Sequence, residues 1–109
     1  MGVDIVDLNR FNIIVENKKF REQYFSETES LLNSLSFAGR FAAREALYKA
    51  VGSQGLFDWK DVEIINLDSG APKFIFRNGA AKFFESKKIH LSISHVPEYA
   101  ISIVIIETI

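Results

Sequence analysis

The spacing of apolar positions changes several times along the chain, and each change marks an element. Val3 to Leu8 is a short run rich in β-branched residues, suited to a strand. Asp7 stands where it can cap a helix carrying Arg10, Phe11, Ile14 and Val15. Ser26 and Glu29 have capping-box spacing and open a second helix through Leu31, Leu32 and Leu35. A short break at Ser34 to Ser36 parts it from the most unusual stretch, Phe37 to Gly52, which reads FAGRFAAREALYKAVG. Wound at about 100° per residue, this stretch puts Ala43, Ala46 and Ala50 on one side, small enough for close packing. Phe37, Phe41 and Tyr48 line a second side. Ala38, Ala42, Glu45 and Lys49 share the strip between, and Arg40 and Arg44 occupy the remaining flank. Gly52 closes the helix as a C-cap and opens a loop to Trp59. Val62 to Leu67 and Lys73 to Phe76 then read as strands joined by the turn-rich Asp68-Ser69-Gly70-Ala71-Pro72. Asn78 starts a short helix with Ala80, Ala81, Phe83 and Phe84 on its apolar side. Ile89 to Ser94 and Tyr99 to Ile106 form a last hairpin around Val96-Pro97-Glu98, and its second strand is apolar enough to be central.

The pattern predicts an α+β fold, a mainly antiparallel sheet packed on a central helix, as one domain over residues 1–109. Apolar residues make up 48% of the chain and charged residues 25%, the balance of an ordinary globular protein. The net charge of −1 argues against a general nucleic-acid binder, which would carry a basic excess. Without cysteine there is no disulfide, thiolate metal site or cysteine nucleophile. No run is long and apolar enough for a membrane span, and the start lacks a signal-peptide pattern, so the cytoplasm is the expected location.

Candidate chemistry comes from charges in apolar settings. Asp4 lies between Val3 and Ile5, where a carboxylate is costly unless it is paired, ligated or at the strand's rim. Glu45 and Lys49 are one helical turn apart. That is either an exposed pair worth about 0.3–0.5 kcal/mol or part of a site whose other members lie elsewhere. His95 sits where a strand meets its turn, either bonded to local backbone or facing a ligand. Lys18, Lys19 and Arg21 alternate with aromatics in a basic stretch that is a solvated face or a docking surface.

Four segments in order, GVDIVDLNRF, GRFAAREALYK, GAP and LSISHVPEYA, together resemble holo-acyl-carrier-protein synthase, the short form of the 4′-phosphopantetheinyl transferase family. Arg44 stands where that family usually has lysine, and Val96 where a hydroxyl residue follows the histidine. The resemblance implies transfer of the phosphopantetheine arm of coenzyme A to a serine of apo acyl carrier protein, releasing adenosine 3′,5′-bisphosphate, as part of fatty acid biosynthesis. It implies Mg²⁺ held by Asp4 and Glu45, with Lys49 adding positive charge to the same phosphates. It further implies a homotrimer whose active sites lie between subunits, Arg40 and His95 reaching coenzyme A from the adjoining chain. Arg10 matches the position that docks the carrier protein; Lys18, Lys19 and Arg21 extend that surface by charge. The alternatives are a non-catalytic trimeric domain that binds carrier protein or nucleotide, and an unrelated Mg²⁺-dependent phosphate enzyme.

Overall fold

The computed structural model describes residues 1–16, 19, 34–52 and 57–108. Lys18, Arg21, the capping box at Ser26 and Glu29, and the helix expected through Leu31 and Leu32 lie outside these residues. In chain order the described elements are β1 (Gly2–Asp7), α1 (Leu8–Val15), α2 (Ser34–Val51), a 3₁₀ turn (Trp59–Asp61), β2 (Val62–Asn66), β3 (Pro72–Phe76), α3 (Asn78–Phe84), β4 (Lys87–His95) and β5 (Tyr99–Thr108). Asp7 caps α1 as its position suggests: its Oδ1 accepts from the backbone N–H of Asn9 at 2.9 Å and of Arg10 at 3.4 Å. Gly52 takes φ +78 after α2, and its N–H closes the helix onto the Tyr48 carbonyl at 3.0 Å. The break expected at Ser34 to Ser36 is absent, since α2 begins at Ser34. Serine competes with the backbone for hydrogen bonds and so reads as a breaker, yet the same property suits it to a helix start.

All strand pairs are antiparallel, as expected, but they divide into two sheets: β1-β5-β4 and β2-β3. The long helix α2 lies between them. Ala43, Ala46 and Leu47 pack with Val104 of β5 and with Val62, Ile64 and Phe74 of the smaller sheet. Ala38 and Ala42 are equally buried, against Val6, Leu8, Phe11 and Ala100. The alanines let the backbones of β1 and β5 come close to α2, whereas the smaller sheet is reached by longer side chains, Leu47 and the two arginines.

β5 is the middle strand of its sheet, and its side chains alternate between the helix-facing side and an open side. Val3, Ile5, Ile101, Ile103 and Ile105 stand on the open side, and Ile5 is 62% exposed. A contiguous apolar sheet face of this kind is the signature of an interaction surface.

Candidate functional site

Gly2 sets the first half of the site. A Cβ on Gly2 would overlap the Ala46 carbonyl oxygen and come within 2.7 Å of the Ala50 backbone nitrogen, so β1 lies directly against the backbone of α2. Two residues further along, on the same face of the strand, Asp4 points at the helix. Its Oδ1 accepts from Lys49 Nζ at 2.8 Å, and the same ammonium donates to the Val3 carbonyl at 3.1 Å. Asp4 is therefore not a solvated rim residue: its side chain is 14% exposed, against 51% for Lys49. Nor is Lys49 engaged in the surface pair with Glu45; among the described residues its ion pair crosses to β1 instead.

Glu45 is half-buried beside this pair. Burial holds its carboxyl above the ordinary value of 4.5, the negative charge of Asp4 pushes the same way, and Lys49 opposes both. Two carboxylates and one ammonium thus share a half-buried spot with a net negative charge. Such a spot gains from a further cation. Among the described residues no group of three or more Asp, Glu, His or Cys side chains gathers, so any metal here would rest on the two carboxylates. Two carboxylate oxygen donors fit Mg²⁺, which keeps several waters and takes the rest of its shell from substrate phosphates.

The second half of the site is built by the arginines of α2. Arg44 is buried, 2% exposed, and its Nη2 donates to the Val62 carbonyl at 2.7 Å. Arg40 Nε donates to the Ile64 carbonyl at 3.1 Å. The match is geometric: four residues of helix rise about 6 Å and two residues of strand about 6.6 Å, so arginines one turn apart meet alternate carbonyls of one strand. The pair fastens β2 to α2 and carries the β2–β3 turn with it. Gly70 takes φ +88 in that turn, where other residues would be strained. Arg40, His95, Gly39, Asn66, Gly70 and Pro72 then surround a cleft of about 150 Å³. Gly39 keeps β4 close, since a Cβ there would come 3.1 Å from Ile93 Cγ2.

The structure therefore brings Asp4, Glu45 and Lys49 together, and separately brings Arg40 to His95. Along α2, Arg40 and Glu45 are five residues apart, about 7.5 Å in rise and roughly 140° in rotation, so the two halves face away from each other within one chain. Arg10 and Lys19 are exposed; Lys18 and Arg21 lie outside the described residues. The roles of Gly2, Gly39 and Asn66 were not apparent from sequence, although Gly2 and the GAP turn stand within the segments that carry the resemblance.

Residues 1–104 match the 4′-phosphopantetheinyl transferase superfamily, and the chain belongs to that superfamily. Its relatives within it are holo-acyl-carrier-protein synthases, as the four segments suggest. The protein of that name from Oceanobacillus iheyensis is 43% identical, the alignment covering 99% of this chain and 95% of the relative. The one from Clostridium tetani is 40% identical over 98% of this chain and 94% of its own. Among solved structures, the Helicobacter pylori synthase in complex with coenzyme A superposes with a TM-score of 0.84 at 32% identity, covering 97% of this chain and 98% of the other. The Bacillus anthracis synthase in complex with CoA (3′,5′-ADP) gives a TM-score of 0.79 at 36% identity, covering 98% and 94%. The α+β architecture with its antiparallel sheets is thus the fold of these synthases.

Proposed function

We propose that this chain transfers the 4′-phosphopantetheine group of coenzyme A to a serine of apo acyl carrier protein, and that residues 1–109 act as one transferase domain. The observation that carries this reading is the Asp4–Lys49 contact at 2.8 Å beside half-buried Glu45, which unites a strand and a helix 45 residues apart in sequence. Support also comes from the coenzyme complexes of similar synthases. In the reaction the serine oxygen, losing its proton, forms a bond to the phosphorus that carries the pantetheine arm. The bond from that phosphorus to the bridging oxygen breaks, and adenosine 3′,5′-bisphosphate leaves with the electron pair.

Asp4 and Glu45 would hold Mg²⁺, which when bound neutralises charge on the pyrophosphate as the leaving group departs. Lys49, tethered to Asp4, adds a positive charge at the same place and keeps the Asp4 carboxylate oriented. Arg40, fixed through its Nε to β2, and His95 at the end of β4 present donors to the phosphates and nucleotide. Because these two groups face away from Asp4 and Glu45 of their own chain, they serve a neighbour. The open face bearing Val3, Ile5, Ile101, Ile103 and Ile105 supports a homotrimer that completes each site between subunits. Exposed Arg10 and Lys19, with Lys18 and Arg21, would steer an acidic carrier protein to the site. The reaction is assigned to the cytoplasm and to fatty acid biosynthesis, with a carrier of either the fatty-acid or the polyketide type as its substrate.

Incubation with coenzyme A, Mg²⁺ and apo carrier protein is expected to add the phosphopantetheine mass to the carrier. Asp4→Asn and Glu45→Gln are each expected to remove transfer while the protein stays folded. Wild-type rates in either variant would refute the metal assignment. Coenzyme binding with no transfer to several carriers would favour the non-catalytic alternative.

A further inference from the structure

Lys49 Nζ bonds two oxygens of β1, Asp4 Oδ1 at 2.8 Å and the Val3 carbonyl at 3.1 Å. Among the described strands β1 has β5 as its one neighbour, so the Val3 carbonyl that reaches the lysine stands on the free edge of the sheet. The ammonium is thereby seated on the carboxylate that a hard divalent cation at this place requires. It competes with such an ion, because two cations brought to one carboxylate repel each other. The tether that orients Asp4 is also a lock on it.

The charge balance sharpens the competition. Asp4, Glu45 and Lys49 together carry one excess negative charge. A divalent ion added while Lys49 stays in place reverses this to one excess positive charge, at a carboxylate whose side chain is only 14% exposed. A diphosphate brings two negative charges and restores the original balance. It also offers oxygens to the lysine. Lys49 is free to take them, since its side chain is 51% exposed and its ammonium ends a flexible stem. The Val3 carbonyl it leaves lies at a strand edge, where water replaces the lost hydrogen bond.

We propose that Lys49 makes this site resist a bare divalent cation and admit one together with a diphosphate, because the phosphates draw the ammonium off Asp4. The inference rests on the assignment of Asp4 and Glu45 to Mg²⁺ and adds to it a condition on how the ion enters. Ion and coenzyme then tighten each other's binding by the same factor. Direct contact between ion and phosphate supplies part of that coupling without any lysine. The part due to Lys49 is the penalty on the bare ion, and substitution isolates it.

The test is calorimetric titration of the full chain with Mg²⁺ alone, repeated in saturating coenzyme A. Lys49→Met is expected to bind Mg²⁺ alone about fivefold to tenfold more tightly than wild type. Lys49→Arg keeps the charge on Asp4 and should stay at the wild-type level. Lys60→Met, which removes an exposed lysine from the 3₁₀ turn, should stay there too. Asp4→Asn should abolish binding. The rise in unfolding midpoint produced by Mg²⁺ should follow the same order, and the midpoints without Mg²⁺ report separately on folding. Lys49→Met binding Mg²⁺ alone no better than wild type would overturn the proposal. An equal gain in Lys49→Arg would do the same, and an equal gain in Lys60→Met would assign the effect to overall charge and overturn it as well. Binding in coenzyme A that is intact while bare-ion affinity ignores Lys49 refutes this proposal and leaves the metal assignment standing. No binding by wild type with or without coenzyme A refutes the metal assignment itself, and this proposal with it. None of these readouts depends on transferase activity.

Discussion

Replacing Gly2 by alanine tests the link between packing and chemistry more sharply than replacing a charged residue does. The added methyl group would overlap the Ala46 carbonyl oxygen and approach the Ala50 nitrogen to 2.7 Å, and both are backbone atoms of α2 that cannot rotate away. Overpacking of a tight contact costs about 1–3 kcal/mol. β1 can relieve the overlap only by withdrawing roughly 1 Å from the helix, the scale of misplacement that costs a positioned site about 100-fold. Its pairing with β5 is unaffected in register, so the strand should survive while Asp4 moves off Lys49 and Glu45. The expected result is a protein with native circular dichroism, an unfolding free energy lowered by about 1–3 kcal/mol in urea, and transfer to apo carrier protein reduced about 100-fold. Mass spectrometry of the carrier gives the rate, and the same samples give the urea midpoint. Wild-type stability together with a wild-type rate would show that β1 does not lie against α2 as described. Loss of stability with an intact rate would separate the contact from the site.

Further outcomes follow from the same geometry. Glu45 titrates above its ordinary 4.5 in the folded chain, so the native state binds that proton more tightly than the unfolded one. Stability of the metal-free protein should therefore fall as pH rises from about 4.5 through the raised value, and Glu45→Gln should flatten that slope and be at least as stable as wild type at neutral pH; a steeper slope in the variant would contradict this origin. Arg44→Met removes the donor to the Val62 carbonyl and should cost about 1–3 kcal/mol in urea unfolding, with weaker coenzyme binding by calorimetry as the β2–β3 turn loosens. If the proposed homotrimer packs on the open face of the β1-β5-β4 sheet, Ile103→Asp, which places a charge there, should yield a folded monomer by light scattering with transfer lost; an oligomer unchanged by the substitution would exclude that face as the contact.

Element types were legible from local chemistry: β-branched and apolar runs in β1 and β5, the helical recurrence of alanine in α2, and glycines that the structure places at positive φ after α2 and in the β2–β3 turn. The grouping of Asp4, Glu45 and Lys49 into one candidate site was legible only through the resemblance, for a physical reason. Asp4 and Lys49 meet across 45 residues, and no local pattern says which of two acids, Asp4 or Glu45, an ammonium on a helix will choose. Arg44 was less accessible still. A guanidinium in an alanine helix reads as surface, and it can be buried only because β2 offers carbonyls at the spacing of a helical turn, a feature of a second sheet that periodicity does not reveal. β5 carries the opposite lesson. Its nearly unbroken run from Ala100 to Ile106 reads as a central strand, and β5 is the middle strand of its sheet, yet α2 covers only the side of Ala100, Ser102 and Val104, and the side of Ile101, Ile103 and Ile105 stays open. A hydrophobic run records that a face is to be buried, not by which chain. If a second copy covers it, the same contact that satisfies these isoleucines also determines which neighbour's Arg40 and His95 reach a given Asp4 and Glu45, so burial of the sheet and assembly of the site become one event.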